Sequence, residues 1–410
     1  MAPRTVRTGS GPLDLSGLLQ QIVENGLEGL PLEEQLSSFS HKVAASGFPM
    51  KRLSMGMRTL HPNYGALTYL WRPEANQVEY SPQDRTVLDS DAYKRSPIIF
   101  MLDSDRDTYR QRLDDGGKLP FPVLDEIRNE GMTDYAACLV RYNPAAQGDS
   151  ALEGVFFSCA TDEPSGFQTE QLQQVFDLLP YLAVAIKSRL TYEVARTVAE
   201  TYLGKDAGQR VLTGEIERGS AQSINAVIWF CDLRGFTQLS DQLDRNELIE
   251  LLNQHLKTLA DPVQERNGQI LKFLGDGFLA TFDLTDKNPA VVCESALDAA
   301  VALRANFAGF NQTRREAGQP TLGFGLALHV GEVFYGNIGT GHRLDFTVVG
   351  PSVNEASRIQ DCCRPLKQDV LISRAFQEMV DRSRYQLTSV GTHELRGVSS
   401  SQELFTLPKT

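Results

Sequence analysis

The most constraining feature of the chain is a continuous apolar run, Ala226–Phe230, that leads directly into a carboxylate and a glycine. Such a run is typical of a strand that is buried on both faces of a sheet. Asp232 ends the strand, where it can bind a hard cation through oxygen. Gly235 precedes a predicted helix whose first backbone amides can bind phosphate oxygens. Taken alone, this fragment fits equally well an Asp that only caps the helix.

A tight hairpin is predicted about forty residues later, with apolar residues on both sides of Gly275-Asp276-Gly277. Glycine permits the positive φ that such turns need. An Asp-Gly turn by itself indicates no chemistry, because it is a common structural element. A hairpin carboxylate that follows a strand carboxylate such as Asp232 indicates more, since the pair can hold two divalent cations around a polyphosphate.

A third motif, residues 345–359, is predicted to be a strand that runs into a helix. Asn354 and Arg358 are four residues apart, so both side chains project from one face of that helix. An amide and a guanidinium side by side suit a phosphorus centre that gains negative charge. Without the other motifs, Arg358 also fits an arginine paired with a core carboxylate.

Together the three motifs, in this order and at this spacing, resemble the class III nucleotide cyclase catalytic domain over residues 221–410. The resemblance implies a ferredoxin-like α+β fold and a head-to-tail homodimer with two equivalent sites. Each site would hold two Mg²⁺ or Mn²⁺ ions through one protomer, at Asp232, Asp276 and the Leu233 carbonyl. Further phosphate contacts would come from Gly235, Phe236 and Thr237. The other protomer would bind the base through Lys272 and Thr347, the ribose and triphosphate through Asn354 and Arg358, and the terminal phosphates through Arg396.

The base-binding residues favour ATP as the substrate, with 3′,5′-cyclic AMP and pyrophosphate as products. Many members of the family carry Asp seven residues before the Asn, whereas this chain carries Thr347, which resembles class IIIb and its bicarbonate-responsive adenylyl cyclases. Lys272 can donate to adenine N1, and the Thr347 hydroxyl can accept from the N6 amino group. Guanylyl cyclases of the family usually carry Glu and Cys here. A guanylyl cyclase is therefore the alternative enzyme, and bicarbonate is a candidate effector.

The N-terminal half is predicted to be a separate regulatory domain. Residues 1–13 read as a flexible tail, and residues 14–181 resemble a GAF-type α+β sensor in their order of elements. Two strands are predicted within residues 52–71, and short helices are predicted over 105–113 and 123–130. The effector of this domain is expected to be a small molecule of unknown identity.

Residues 182–220 are predicted to form a signalling helix and linker between the two domains. Apolar side chains recur every four residues along this helix, at Leu182, Ile186, Leu190, Val194 and Val198. The stripe predicts a parallel coiled coil between two copies of the chain. The alternative interpretation is a helix that packs on its own domain.

Composition limits the remaining possibilities. The 410 residues carry a formal net charge of −12, which argues against a nucleic-acid coat or a polybasic membrane anchor. No run reaches the length of a membrane helix, and six cysteines do not make a disulfide scaffold, so a cytoplasmic protein is expected. A non-enzymatic alternative remains, in which a ligand sensor carries an inactive cyclase-like dimerisation domain. A diguanylate cyclase does not fit, since its Gly-Gly-Asp/Glu-Glu-Phe hairpin is missing.

Overall fold

A computed structural model describes residues 14–142, 154–241, 243–381 and 384–408, and it divides the chain into two units. The units are Met1–Val198 and Ala199–Thr410, and the division falls inside one long helix. The tail predicted over residues 1–13 lies outside the described residues. Among the helices in those ranges, none is long and apolar enough to cross a membrane.

The N-terminal unit is built on an antiparallel sheet with the strand order β3-β2-β1-β6-β5-β4. Its strands are β1 (Arg52–Arg58), β2 (Tyr64–Trp71), β3 (Glu79–Asp84), β4 (Thr108–Arg112), β5 (Asp134–Arg141) and β6 (Gly154–Thr161). Its helices are α1 (Leu15–Glu28), α2 (Leu32–Ala45), a 3₁₀ turn (Arg85–Asp89), α3 (Asp91–Lys94), α4 (Pro97–Asp103), α5 (Pro122–Asn129) and the start of α6 (Thr169–Leu203).

Most predicted elements of this unit are present, with one exception. The two strands within residues 52–71 are β1 and β2, and the second short helix is α5. The helix predicted over residues 105–113 is wrong, because that segment contains the edge strand β4, which pairs with β5. The reason is tertiary: Arg110 of β4 lies 2.7 Å from the fully buried Asp134 carboxylate of β5, and a buried carboxylate needs such a partner.

Helix α6 corrects the interpretation of the apolar stripe. Leu182, Ile186 and Leu190 are almost completely buried, in a core that they share with α1, α2 and the sheet. The stripe therefore packs on its own unit, and these side chains are not available to pair with a second helix. The part of the stripe that stays open is its end, since Val198 is 43% exposed.

The C-terminal unit is also α+β, with the strand order β13-β14-β12-β10-β7-β9-β8 and with β11 paired to β10. The strands are β7 (Ala221–Arg234), β8 (Gln269–Leu274), β9 (Gly277–Asp283), β10 (Gly323–Gly339), β11 (Leu344–Val349), β12 (Val370–Ser373), β13 (Thr388–His393) and β14 (Gln402–Thr406). The helices are α7 (Lys205–Leu212), α8 (Phe236–Ser240), α9 (Arg245–Gln264), α10 (Pro289–Glu316), α11 (Pro351–Cys362) and α12 (Arg374–Gln377).

Strand β7 lies in the middle of this sheet, between β10 and β9, as its apolar run predicts. Alternate side chains of β7 are buried in two different hydrophobic cores, one on each face of the sheet. Trp229 and Cys231 face a core with Leu297 of α10, while Ala226 and Ile228 face a second core beneath α7 and α11. Because both faces are covered, the end of β7 is held rigidly, and this is where the predicted site begins.

Candidate active site

Asp232 lies near the end of β7, on a half-buried position between two fully packed neighbours. Cys231 and Leu233 are buried in the core, so strand alternation turns Asp232 to the opposite face. Gly235 follows with φ +88° and caps the short helix α8, which starts at Phe236 and includes Thr237. The predicted order of strand, carboxylate, glycine and helix is therefore present.

Asp276 occupies the tip of the hairpin that joins β8 to β9. Leu274 pairs with Gly277, which leaves Gly275 and Asp276 as a two-residue turn, and Gly275 has φ +70°. Gly277 has a different role. A Cβ atom at this position would lie 2.3 Å from the Cys231 carbonyl oxygen and 2.8 Å from Oδ1 of Asp232. Only glycine allows the hairpin to approach the end of β7 this closely.

The approach brings Asp232 and Asp276 into side-chain contact. The pKa of Asp232 is raised to about 6, first by burial, then by the negative charge of Asp276 and by a hydrogen bond between the two carboxyls. Two carboxylates in this position repel each other unless a proton or a cation lies between them. Within the described ranges no group of three or more His, Cys, Asp or Glu side chains is placed so that it could hold a metal ion.

Lys272 and Thr347, the predicted base-binding residues, belong to a second group. Lys272 of β8 forms an ion pair with Asp345 of β11, with 2.5 Å between Nζ and Oδ2. The hydrogen bond from Lys272 lowers the pKa of Asp345. Thr347 lies two residues after Asp345 and therefore on the same face of β11, while Phe346 and Val348 are buried on the other face.

Asn354 and Arg358 lie on α11, as their spacing predicts. Ala356 and Ile359 bury the inner face of this helix, and Asn354 is exposed. Arg358 is 42% exposed, and its Nη1 lies 3.0 Å from Oδ2 of Asp361, one turn further along α11. The polar face of α11 therefore carries an amide and a guanidinium that are accessible from outside this chain.

Arg396 lies between β13 and β14 and is exposed. It occupies a turn that is closed by a hydrogen bond from the Val398 amide to the Leu395 carbonyl, and Gly397 has φ +82°. Across the described part of the chain, no salt bridge connects Arg358 or Arg396 to Asp232 or Asp276. The described residues therefore form two separate groups, Asp232 with Asp276 and Lys272 with Asp345 beside Thr347. Neither group has a salt bridge to Arg358 or Arg396 among these residues.

The family profile described as the adenylate and guanylate cyclase catalytic domain matches residues 220–409. The chain contains a class III nucleotide cyclase domain. The adenylate cyclase of Anabaena cylindrica is 34% identical to it over 164 residues, which cover 39% of this chain and 32% of that protein. Adenylate cyclase 1 of Rhizobium meliloti (strain 1021) is 26% identical over 178 residues, which cover 43% of this chain and 26% of that protein.

The matched segments thus span about a third or less of these curated relatives. Among solved structures, the adenylyl cyclase CyaB from P. aeruginosa is similar to this chain with 25% identity and a TM-score of 0.43. That match covers 47% of this chain and 97% of the CyaB chain.

A contact between a buried histidine of β10 and a partly exposed glutamate of α11 was not predicted from the sequence. His329 of β10 is 5% exposed, and its Nε2 lies 3.5 Å from Oε2 of Glu355, the residue after Asn354. Burial lowers the pKa of His329 to about 4 and raises the pKa of Glu355, so the imidazole is neutral near pH 7. The sequence offered one signal for this pair, which is that Glu355 stands next to the motif residue Asn354. Its partner His329 lies 26 residues earlier in the chain, so no local pattern connects the two.

Asp361 and Asp345 are two further charged residues of the site for which the sequence analysis predicted no role. Asp361 pairs with Arg358, and its negative charge also contributes to the raised pKa of Asp232. Asp345 holds Lys272 in place. The motif residues are therefore embedded in a set of local ion pairs.

The repulsion between Asp232 and Asp276 predicts that Asp232→Asn changes the thermal stability of the protein when EDTA keeps divalent cations away from the pair. A folded-state pKa near 6, above the usual carboxyl value, means that the pair costs stability as pH rises from about 4 to 6, and the cost is complete at pH 8. Removing one charge should raise the thermal midpoint at pH 8 by roughly 2–4 °C, about 1 kcal/mol for a domain of this size. The exposed Asp241→Asn is the matched control. A variant midpoint equal to or below the wild-type value at pH 8 would contradict the analysis.

Proposed function

We propose that the chain is an adenylyl cyclase that converts ATP to 3′,5′-cyclic AMP and pyrophosphate. The family match supports a nucleotide cyclase, and the observation that carries the choice of ATP is the group formed by Lys272, Asp345 and Thr347. The ion pair with Asp345 directs Lys272 toward β11, on the strand face that also carries Thr347. A donor beside an acceptor is the pattern that the adenine edge requires, whereas guanine presents the opposite pattern.

The carboxylate pair fits a divalent cation. Both ligands are carboxylate oxygens, which hard cations prefer, and Asp232 and Asp276 are forced together at the cost of mutual repulsion that a cation would relieve. We propose that these residues and the Leu233 carbonyl hold two Mg²⁺ or Mn²⁺ ions. When bound, the ions would neutralise phosphate charge and make the ribose 3′ hydroxyl more acidic.

The remaining residues are assigned by charge and accessibility. The reaction forms a bond from the ribose 3′ oxygen to the α-phosphorus, breaks the bond to the bridging oxygen, and releases pyrophosphate and the 3′ proton. Asn354 would orient the ribose, and Arg358 would stabilise the charge that develops at phosphorus. The backbone of Gly235–Thr237 would bind phosphate oxygens, and Arg396 would bind the terminal phosphates.

We propose that the site is shared between two copies of the chain. Arg358 and Asn354 are accessible on α11 but make no contact with the carboxylate pair among the described residues, which supports their action on a partner's site. The class III resemblance implies the same arrangement. Each protomer would then contribute its carboxylates to one site and its arginine to the other.

A shared site predicts recovery of activity from two inactive variants. Asp276→Asn and Arg358→Met should each lower the rate by about 10²–10³. When both are co-expressed, half of the dimers pair one of each, and one of the two sites in such a dimer is intact. Activity should therefore recover to about a quarter of the wild-type value, measured as cyclic AMP formed by purified protein.

The matched control for this experiment is co-expression of Asp276→Asn with Asp232→Asn. Both variants lack a carboxylate, so every site remains defective and no recovery is expected. Dimers of Asp276→Asn and Arg358→Met that form but show no recovery would contradict the shared site.

The adenine assignment predicts the effect of changing its two residues together. Lys272→Glu with Thr347→Cys should raise the ratio of GTP to ATP in kcat/KM by roughly tenfold or more, since the hydrogen-bonding pattern at the base edge is reversed. Because the new carboxylate would face Asp345, a third substitution, Asp345→Asn, removes their repulsion. Lys287→Glu, at an exposed position of the same unit, is the control. An unchanged ratio in both the double and triple variants would contradict the assignment.

We further propose that α7, which follows α6 in the chain, transmits regulation to the cyclase site. Ala207 of α7 is buried in one cluster with Phe346, Val348 and Ala356. Phe346 and Val348 flank Thr347, and Ala356 lies between Asn354 and Arg358. The Tyr335 hydroxyl donates a 2.8 Å hydrogen bond to Asp206 and anchors α7 to β10.

This anchor predicts that Tyr335→Phe in the full-length protein lowers kcat about fivefold, within the range of coupling between sites, with little change in the KM for ATP. Tyr385→Phe is the matched control, because Tyr385 also donates to a carboxylate, Asp298, at 2.6 Å, but not one on α7. Both variants lose the hydrogen bond from a tyrosine hydroxyl to a carboxylate, and Tyr385→Phe also loses a longer one to the Glu294 carbonyl at 3.5 Å. Steady-state cyclic AMP assays compare the two variants. Equal activity of the two variants would contradict a role for the α7 anchor.

A further inference from the structure

The two faces of the N-terminal sheet are covered very differently. Along β1, the alternate residues Leu53, Met55 and Met57 enter a large core that also contains α1, α2 and α6. The residues between them point to the other face, which α3, α4 and α5 cover. A cavity of about 540 Å³ lies between this second face and those helices. Its size is in the range of pockets that hold a small organic molecule.

Small side chains form the floor of this cavity. Ser54 and Gly56 of β1 lie beside Thr68 of β2 and Ser158 of β6, in register across three neighbouring strands. Apolar side chains from the helices and from β6 form the rest of the wall, including Ile98, Leu102, Val123, Ile127 and Phe156. A flat, largely apolar molecule would fit this cavity, because the small residues of the strands leave room for it and the apolar side chains would contact it.

Gly56 is the most informative position in the floor. It lies in the interior of a central strand, where glycine weakens a sheet and often marks a bulge, a tight bend or a close approach by a ligand or another backbone. Gly56 pairs in regular register with Thr68 and with Phe156, so it does not mark a bulge. No positive φ requires glycine here, and a Cβ at this position would have no neighbouring atom within 4 Å. Neither backbone geometry nor crowding by protein atoms accounts for the glycine. The open space in front of it is the cavity.

A guanidinium with an unused donor lies at one end of the cavity. Arg52 is in the same alternating row as Ser54 and Gly56, and its buried Nε has no hydrogen-bond partner. The nearest carboxylate, Glu130, is 3.9 Å from this nitrogen and already accepts a hydrogen bond from Arg72 at 3.2 Å. A buried donor of this kind is costly unless an acceptor reaches it. Glu126, which is exposed, also lines this end.

We infer that the cavity between β1, β2, β6 and α3–α5 binds an aromatic organic acid. The flat ring system would lie over Gly56, and its oxyanion would accept from Arg52, with Ser54 and the hydrogen-bonded pair Ser158 and Tyr135 nearby. Arginine suits an oxyanion because it offers several donors in one plane. The inference concerns binding alone and does not depend on the cyclase reaction.

A pair of fluorescent dyes with nearly the same body tests both parts of the inference on the full-length protein without nucleotide. The probe 1-anilinonaphthalene-8-sulfonate carries an oxyanion, and N-phenyl-1-naphthylamine does not. Both dyes should bind the wild-type chain. Arg52→Met should weaken binding of the sulfonate about tenfold, equivalent to about 1.4 kcal/mol, and leave binding of the neutral dye unchanged. Arg112→Met, which alters a strand arginine outside the cavity, should change neither.

Substitution at Gly56 tests the location. A Cβ atom at Gly56 meets no atom within 4 Å and the backbone needs no positive φ, so Gly56→Phe directs a ring into the cavity. The unfolding midpoint should not fall, and binding of both dyes should decrease at least tenfold. Gly56→Ala is the matched control and should retain binding. Undiminished dye binding in a folded Gly56→Phe variant would overturn the cavity as the site. Equal effects of Arg52→Met on the two dyes would overturn the assignment of an organic acid.

Discussion

The close contact between the β8–β9 hairpin and the end of β7 is the constraint on which the candidate active site depends. Gly277 has no side chain, so the hairpin backbone can lie against the Cys231 carbonyl and the Asp232 carboxylate. The cores on both faces of β7 hold this strand in position, and Gly275 allows the turn that presents Asp276. The pair of carboxylates is therefore imposed by packing, in spite of a repulsion that raises the pKa of Asp232.

Two other candidate site residues of the C-terminal unit are held by ion pairs of their own, among the residues that the structure describes. Arg358 is kept on α11 by Asp361, and Lys272 is kept on β8 by Asp345. Each ion pair involves partly exposed side chains, so its contribution to stability is small. Their effect is on orientation, because each pair holds the charged end of a long side chain in one position.

The two faces of the N-terminal sheet differ, because one is packed against α1, α2 and α6 and the other borders a cavity. The stripe that includes Ile186 of α6 packs against the same sheet whose other face carries Gly56 and Arg52. Strand β1 contributes alternately to both faces, so a molecule in the cavity would contact the strand that supports α6. On the cyclase side, α7 contacts the strand and the helix that bear Thr347 and Asn354.

The sequence by itself determined the local elements and the side chains that are candidates for the site. The apolar run before Asp232, the glycines around Asp276 and the four-residue spacing of Asn354 and Arg358 predict their own strand, turn and helix, because each depends on residues near in sequence. Only the tertiary structure decided the pairings between distant residues. Lys272 with Asp345, His329 with Glu355 and Arg110 with Asp134 appear in no local pattern.

The same limit explains the apolar stripe of α6 and the strand β4. A spacing of four residues shows that one helix face is apolar, but it does not show whether the partner is the same domain or a second chain. The structure placed Leu182 and Ile186 in their own core. The cavity above Gly56 was likewise invisible in the sequence, since an empty volume is defined by side chains from strands and helices that meet only after folding.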